Sequence, residues 1–426
     1  MRVACTFCLL MATVLVLLAA CGASTVRQTP LPSETPVVFT FYGTGGGGGL
    51  KALHANNGLP MWKRQVGNLN LPPVMASGVI YGLADEHPPS RPTVIAVRAS
   101  DGKVLWRTPM PNWDSFAYVA ADSSIVALMT GSGGLFGLDP ATGEQRWHIA
   151  GTGEVSLLVH HGVVYATLAI SAPPGSPSGL GSHLTPPPLP TSTPPGPGGT
   201  SLPPGYTYLM AVRSHDGARL WQTPFDLNAR PLVANDHAIY GAATGVDVHT
   251  RQVLTPFSPD AVGEPGVTGT VNGWVVAASE QVVLISDNKP RAQHMKALSA
   301  VDGHVLWEVP FAFGPSASES NGVQIVGDSI YNVDGNGQIT AVRVSDGSAL
   351  WHVRFANQNP GSLSVTGGVV FATLYPYHEG ELLIPDIRPC IVGCATSIVS
   401  LDATTGGSYW QRDEPAAQVI VATDQP

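Results

Sequence analysis

The residues able to do chemistry are few and scattered. His160 and His161 form an adjacent pair just before an apolar run. Two imidazoles could ligate a metal, but an adjacent pair at a strand edge reads as structural or solvated. Asp334-Gly335-Asn336-Gly337 resembles a fragment of a calcium loop. It lacks the rest of the oxygen series that calcium needs and reads as a turn. His378, Glu379 and Glu381 form a charged loop tip that reads as solvated. Gly45 to Gly49 is a glycine run without the following Lys of a phosphate loop. There is no Gly-x-Ser-x-Gly elbow and no catalytic triad. The reading is therefore no catalytic residue, no cofactor and no metal.

Five cysteines remain to be placed. Residues 1–21 carry Arg2, an apolar run from Leu9 to Ala20 and the ending Leu18-Ala19-Ala20-Cys21. The run is too short to span a bilayer with confidence. The ending resembles the bacterial lipobox, in which the Cys after a small-residue cleavage site is lipidated. Cys21 is thus the expected lipid anchor, and Cys5 and Cys8 would leave with the signal peptide. Residues 22–36 read as a flexible tether. Cys390 and Cys394 are the candidate disulfide, because thiols outside the cytoplasm tend to pair.

The elements that must position any site are read from a repeat. Ala96-Val97-Arg98-Ala99-Ser100-Asp101-Gly102-Lys103-Val104-Leu105-Trp106 reads as strand, turn, strand, with Asp-Gly as the turn signal. Trp recurs four residues after a Gly at Trp62, Trp106, Trp147, Trp221, Trp307, Trp351 and Trp410. An eighth copy, Gly245 to Arg251, lacks the turn Gly and the Trp. A fixed-period repeat signals a solenoid or a propeller. Each unit reads as four strands, A to D, too small to bury both faces alone, and closing the ring hides its edges.

Eight apolar runs are assigned as B strands, starting at Val37, Gly78, Ser124, Gly162, Ala238, Gly273, Ser329 and Gly368. The first unit has no A strand before it, so Ala416 to Ala422 is expected to supply it and close the ring. The seven Trp are expected to dock one blade on the next, not to stack on a ligand. Four inserts are placed between strands B and C: 84–92, the Pro/Gly-rich 171–205 (expected to be disordered), 286–293 and 375–396. They would share one face with the D-to-A loops. Trp113, Tyr375 and Tyr377 lie on that face and are the candidate interface aromatics.

The wording Ala-x-x-x-x-Asp-Gly-x-x-x-Trp, as in Ala96 to Trp106, Ala211 to Trp221 and Ala341 to Trp351, resembles the tryptophan-docking repeat of pyrroloquinoline-quinone-like β-propellers. Leu138 to Gly143 and Leu401 to Gly406 keep the Asp-x-x-Thr-Gly form. The resemblance implies an all-β, eight-bladed propeller over residues 37–426. One branch of that family is the quinoprotein dehydrogenases, which bind the quinone and calcium under a vicinal Cys-Cys disulfide. No Cys-Cys occurs here. The other branch is the lipoprotein propellers of the outer-membrane β-barrel assembly machinery, which the lipobox, tether, length and blade count match. The expected role is therefore a monomeric, lipid-anchored, non-catalytic scaffold for protein partners at the cell envelope. A carbohydrate- or wall-binding propeller and a quinone-dependent enzyme are the alternatives. A formal net charge of −9 with no basic stripe excludes a nucleic-acid partner.

Overall fold

The computed structural model describes residues 37–42, 48–69, 73–85, 93–110, 117–130, 134–150, 152–169, 207–224, 232–241, 244–251, 253–254, 273–289, 292–310, 322–334, 337–376, 397–414 and 418–421. Every element among them is a strand, and the strands form eight antiparallel sheets. The architecture is a ring of eight four-stranded blades.

Blade 1 contains Val37–Tyr42, Gly49–His54 and Pro60–Gln65, and its fourth strand is Gln418–Val421 from the other end of the chain. Phe39 pairs with Ile420 and Thr40 with Val419, so the ring is closed by the C-terminal strand as the sequence implies. Two further ties cross the same join. Lys51 Nζ meets Glu414 at 2.5 Å, and Arg412 Nε donates to the Asn57 carbonyl at 2.7 Å.

In blade 2 the expected single A strand is broken in two. Asn68–Leu69 pairs with one end of Val79–Asp85, and Val74–Ala76 pairs with the other end. Blades 3, 4, 5, 7 and 8 follow the expected order. Blade 6 does not. Gly273–Ala278, expected as strand B, is the edge strand A, and strand B is Val282–Lys289. The insert expected at 286–293 is also absent. Strands B and C run on as one ladder, with Asp287 opposite His294 and Lys289 opposite Ala292.

The hydrophobic core lies between blades. Eight separate apolar clusters occupy the eight seams. Phe39, Leu50, Ile80 and Ile95 fill the first seam, for example, while Val38, Leu53, Phe371 and Ile398 fill the last. Strands B and C present apolar side chains to both neighbours and read as continuous buried runs. Strand D is buried on one face only. In Val104–Pro109 of blade 2, Trp106 is buried while Leu105 and Arg107 are exposed. This alternation is what a strand with one solvated face requires.

Candidate functional site

The repeated Trp explains the rigidity on which any site depends. Each sits on strand D opposite a small residue of strand C: Trp106 faces Ala96, Trp147 faces Gly137 and Trp410 faces Ser400. At Gly137 an added Cβ would lie 2.1 Å from the Trp147 ring, so the small residue is a steric requirement. Six indole N–H groups donate to a carbonyl of the next blade. Trp62 reaches Ala99, Trp106 reaches Pro140, Trp147 reaches Ser214, Trp307 reaches Val344, Trp351 reaches Ala403 and Trp410 reaches Ala55, at 2.6–2.9 Å. Blade 5 has Leu254 in the Trp position, opposite Gly245. Arg251, with φ of +64°, replaces its turn Gly.

The two faces of the ring differ. One carries the A-to-B and C-to-D turns, which are short and internally bonded. In seven blades the C-to-D turn carries an Asp whose oxygen accepts a backbone N–H of its own loop, and in blade 1 Asn57 Oδ1 takes that place, accepting from Leu59 at 2.8 Å. Asp139 Oδ1 accepts from Ala141 at 2.8 Å and Thr142 at 2.9 Å, and Asp247 and Asp402 repeat the pattern. The Arg146 guanidinium, and then these amides, hold the Asp139 carboxyl below its ordinary value. The Ser299 hydroxyl, followed by His304, pushes Asp302 down to about 2. In four blades the same face pairs Arg with Asp: Arg98 with Asp101, Arg146 with Asp139, Arg213 with Asp216 and Arg343 with Asp346. His160 and His161 lie on this face, at the A-to-B turn of blade 4.

The other face carries the B-to-C and D-to-A connections. Its long connections leave from strand ends at Asp85, Ala169 and Pro376 and return at Thr93, Thr207 and Ser397. At the base of the last one, a polar relay crosses three strands of blade 8. Gln358 Nε2 donates to Ser397 Oγ at 2.9 Å, and Gln411 Nε2 donates to Gln358 Oε1 at 2.9 Å. Asp334, in the fragment read as a turn, accepts from the Gln338 backbone at 2.9 Å and from the Gln338 side chain at 3.3 Å. Both of its oxygens are used to close that hairpin. Neither the relay nor this closure carries a sequence signature, because isolated Gln and Ser are ubiquitous.

Of the interface candidates, Tyr375 is half-buried at the end of strand B of blade 8. Its ring covers Gly361, where an added Cβ would lie 2.3 Å away. Trp113 and Tyr377 lie outside the described residues, as do Cys21, Cys390, Cys394, His378, Glu379, Glu381, Gly45 to Gly47 and insert 171–205.

A ring of eight blades, docked by Trp and closed by the C-terminal strand, defines the tryptophan-docking β-propellers. More narrowly, residues 24–166 and 205–425 match the family model of the outer membrane protein assembly factor BamB, and the chain belongs to that family. BamB from Moraxella catarrhalis superposes with a TM-score of 0.51 at 14% identity, over 84% of this chain and 96% of that one. AztD from Citrobacter koseri gives 0.54 at 10%, over 92% and 100%. The dihydro-heme d1 dehydrogenase NirN, in complex with DHE, gives 0.56 at 10%, over 95% and 78%. At these identities the likeness is one of fold. No curated protein sequence matches the chain.

Proposed function

We propose that this chain is a lipid-anchored, non-catalytic propeller that holds protein partners at the cell envelope. The observation that carries the reading is the asymmetry of the ring. One face bonds and neutralises itself turn by turn, while the long connections rise from the other. Binding residues favour elaborated loops on a rigid scaffold, and Trp and Tyr are the side chains that most often anchor interfaces. Tyr375 lies at a strand end on that second face, and Trp113 and Tyr377, which fall in sequence between strands that end there, are proposed to join it. Membership of the BamB family supports an extracytoplasmic setting, and Leu18-Ala19-Ala20-Cys21 supports a lipid on Cys21. Cys390 and Cys394 would then close the blade-8 loop as a disulfide.

The test is co-purification of the full chain from native membranes. Trp113→Ala and Tyr377→Ala should leave melting unchanged and weaken recovery of the partner. Loss of partner only in proportion to loss of folded protein would refute the interface. A visible absorbance acquired with pyrroloquinoline quinone and calcium would refute the non-catalytic reading.

A further inference from the structure

We propose that His160, His161 and Asp236 bind one divalent transition-metal ion of the zinc type and clip blade 4 to blade 5. One ligand atom from each lies within 4.8 Å of the other two. The His161 Nε2 is 2.7 Å from Asp236 Oδ1. The His160 Nε2 lies 3.4 Å from the same oxygen, yet is sealed from solvent and has no hydrogen-bond partner. A buried ring nitrogen without a partner is costly, and a metal bond would satisfy it. The rings are already close, with centroids 4.1 Å apart and planes at 53°. Zinc holds nitrogen and oxygen at about 2.0–2.1 Å, so closure needs only side-chain rotation at an exposed turn.

The backbone supplies a second observation. His161 is in the left-handed region, with φ of +48°. In blade 8 the corresponding turn position is Gly367, with φ of +54°. Ser77 holds the same place in blade 2 with φ of +49°, so the hairpin turn itself imposes this backbone and fixes the direction in which His161 is presented. Asp236 is also presented on a fixed turn. The Asn235 side chain accepts from His237 and Ala238 and donates to the Ser279 carbonyl at 2.9 Å, and the Asp236 N–H donates to Glu280 Oε1 at 2.9 Å.

Two imidazoles and one carboxylate suit zinc and its neighbours, with water completing the shell. Calcium and magnesium prefer more oxygen ligands. The location adds a reason for a clip. This is the seam where Arg251 stands in place of the turn Gly, so blade 5 lacks the usual seat for the preceding Trp. The ion would tie the two blades at their inner strands.

The test uses the untagged full chain, stripped by chelator and titrated with zinc chloride alone in a calorimeter and in thermal melts. One ion should bind and raise the melting temperature. Asp236→Asn and His161→Gln should each weaken binding at least about tenfold. His304→Gln, at the exposed Asp302–His304 turn, should change nothing. Cobalt should give visible ligand-field bands that Asp236→Asn removes. Failure of the wild type to bind, equal binding by the Asp236 and His161 variants, or equal weakening by His304→Gln would overturn the site. If metal-free Asp236→Asn loses its fold by circular dichroism, His161→Gln decides the matter.

Discussion

At the scale of the residue, the repeat signature resolves into a steric set. The Trp needs a small residue opposite it on strand C, a carbonyl from the next blade and a Gly against its ring. Gly347 shows the double demand. Its φ is +69°, and an added Cβ would lie 2.7 Å from the Trp307 ring. Gly327 has φ of +59° and nothing within 4 Å. Gly327→Ala should therefore cost only the backbone term, roughly 1–2 kcal/mol. Gly347→Ala adds overpacking, for about 2–5 kcal/mol in all. Denaturant titration of both variants would check this, and equal losses would show that the Trp contact contributes nothing. The Asp of the turn has its own signature. Burial pushes the Asp402 carboxyl up, but the Tyr409 hydroxyl at 2.7 Å and the Thr404 and Thr405 amides outweigh it and hold it low. A depressed carboxyl adds stability above its unfolded value of about 3.9 and loses it as pH falls through the folded value. Melting temperature should be nearly flat from about pH 7 to 5 and drop below about pH 4. Asp402→Asn should flatten that drop, and a drop of unchanged slope would show that Asp402 does not contribute to it.

At the scale of the element, the C-to-D hairpins were legible because Gly and Trp mark them at fixed spacing. The ring order followed from the same marks. Blade 6 was misread because an A strand and a B strand are both short apolar runs. Gly273–Ala278 carries the same Val and Ala content as a true B strand, and only pairing with Val282–Lys289 separates them. The split A strand of blade 2 was equally hidden, since Leu69 and Val74 reach the same partner strand from opposite ends. Blade 5 kept its place in the ring with Leu254 as peg, a substitution visible only once Gly245 is seen opposite it. The His–Asp cluster was illegible for a simpler reason. Asp236 is 75 residues from His161 in the chain, and only the meeting of two A-to-B turns joins them.

At the scale of the whole molecule, the ring is a loop of eight seams, and removing one opens it. Deleting residues 416–426 removes the strand that pairs with Val38–Phe41 and leaves a bare edge on blade 1. Unpaired edges recruit other chains. The truncated protein should melt lower and elute as oligomers on size-exclusion chromatography. A monomer with unchanged melting would mean that the other seams carry the fold without closure.

Photo-crosslinking from the two faces tests the functional account most directly. A benzophenone amino acid would be placed in the full chain in native membranes, at Trp113 or Tyr377, proposed for the interface, and at Asp101 or Asp346 on the self-bonded face. Discrete adducts to envelope proteins from the first pair, with none from the second, are the predicted result. Adducts confined to Asp101 and Asp346 would move the interface to the self-bonded face and contradict the account.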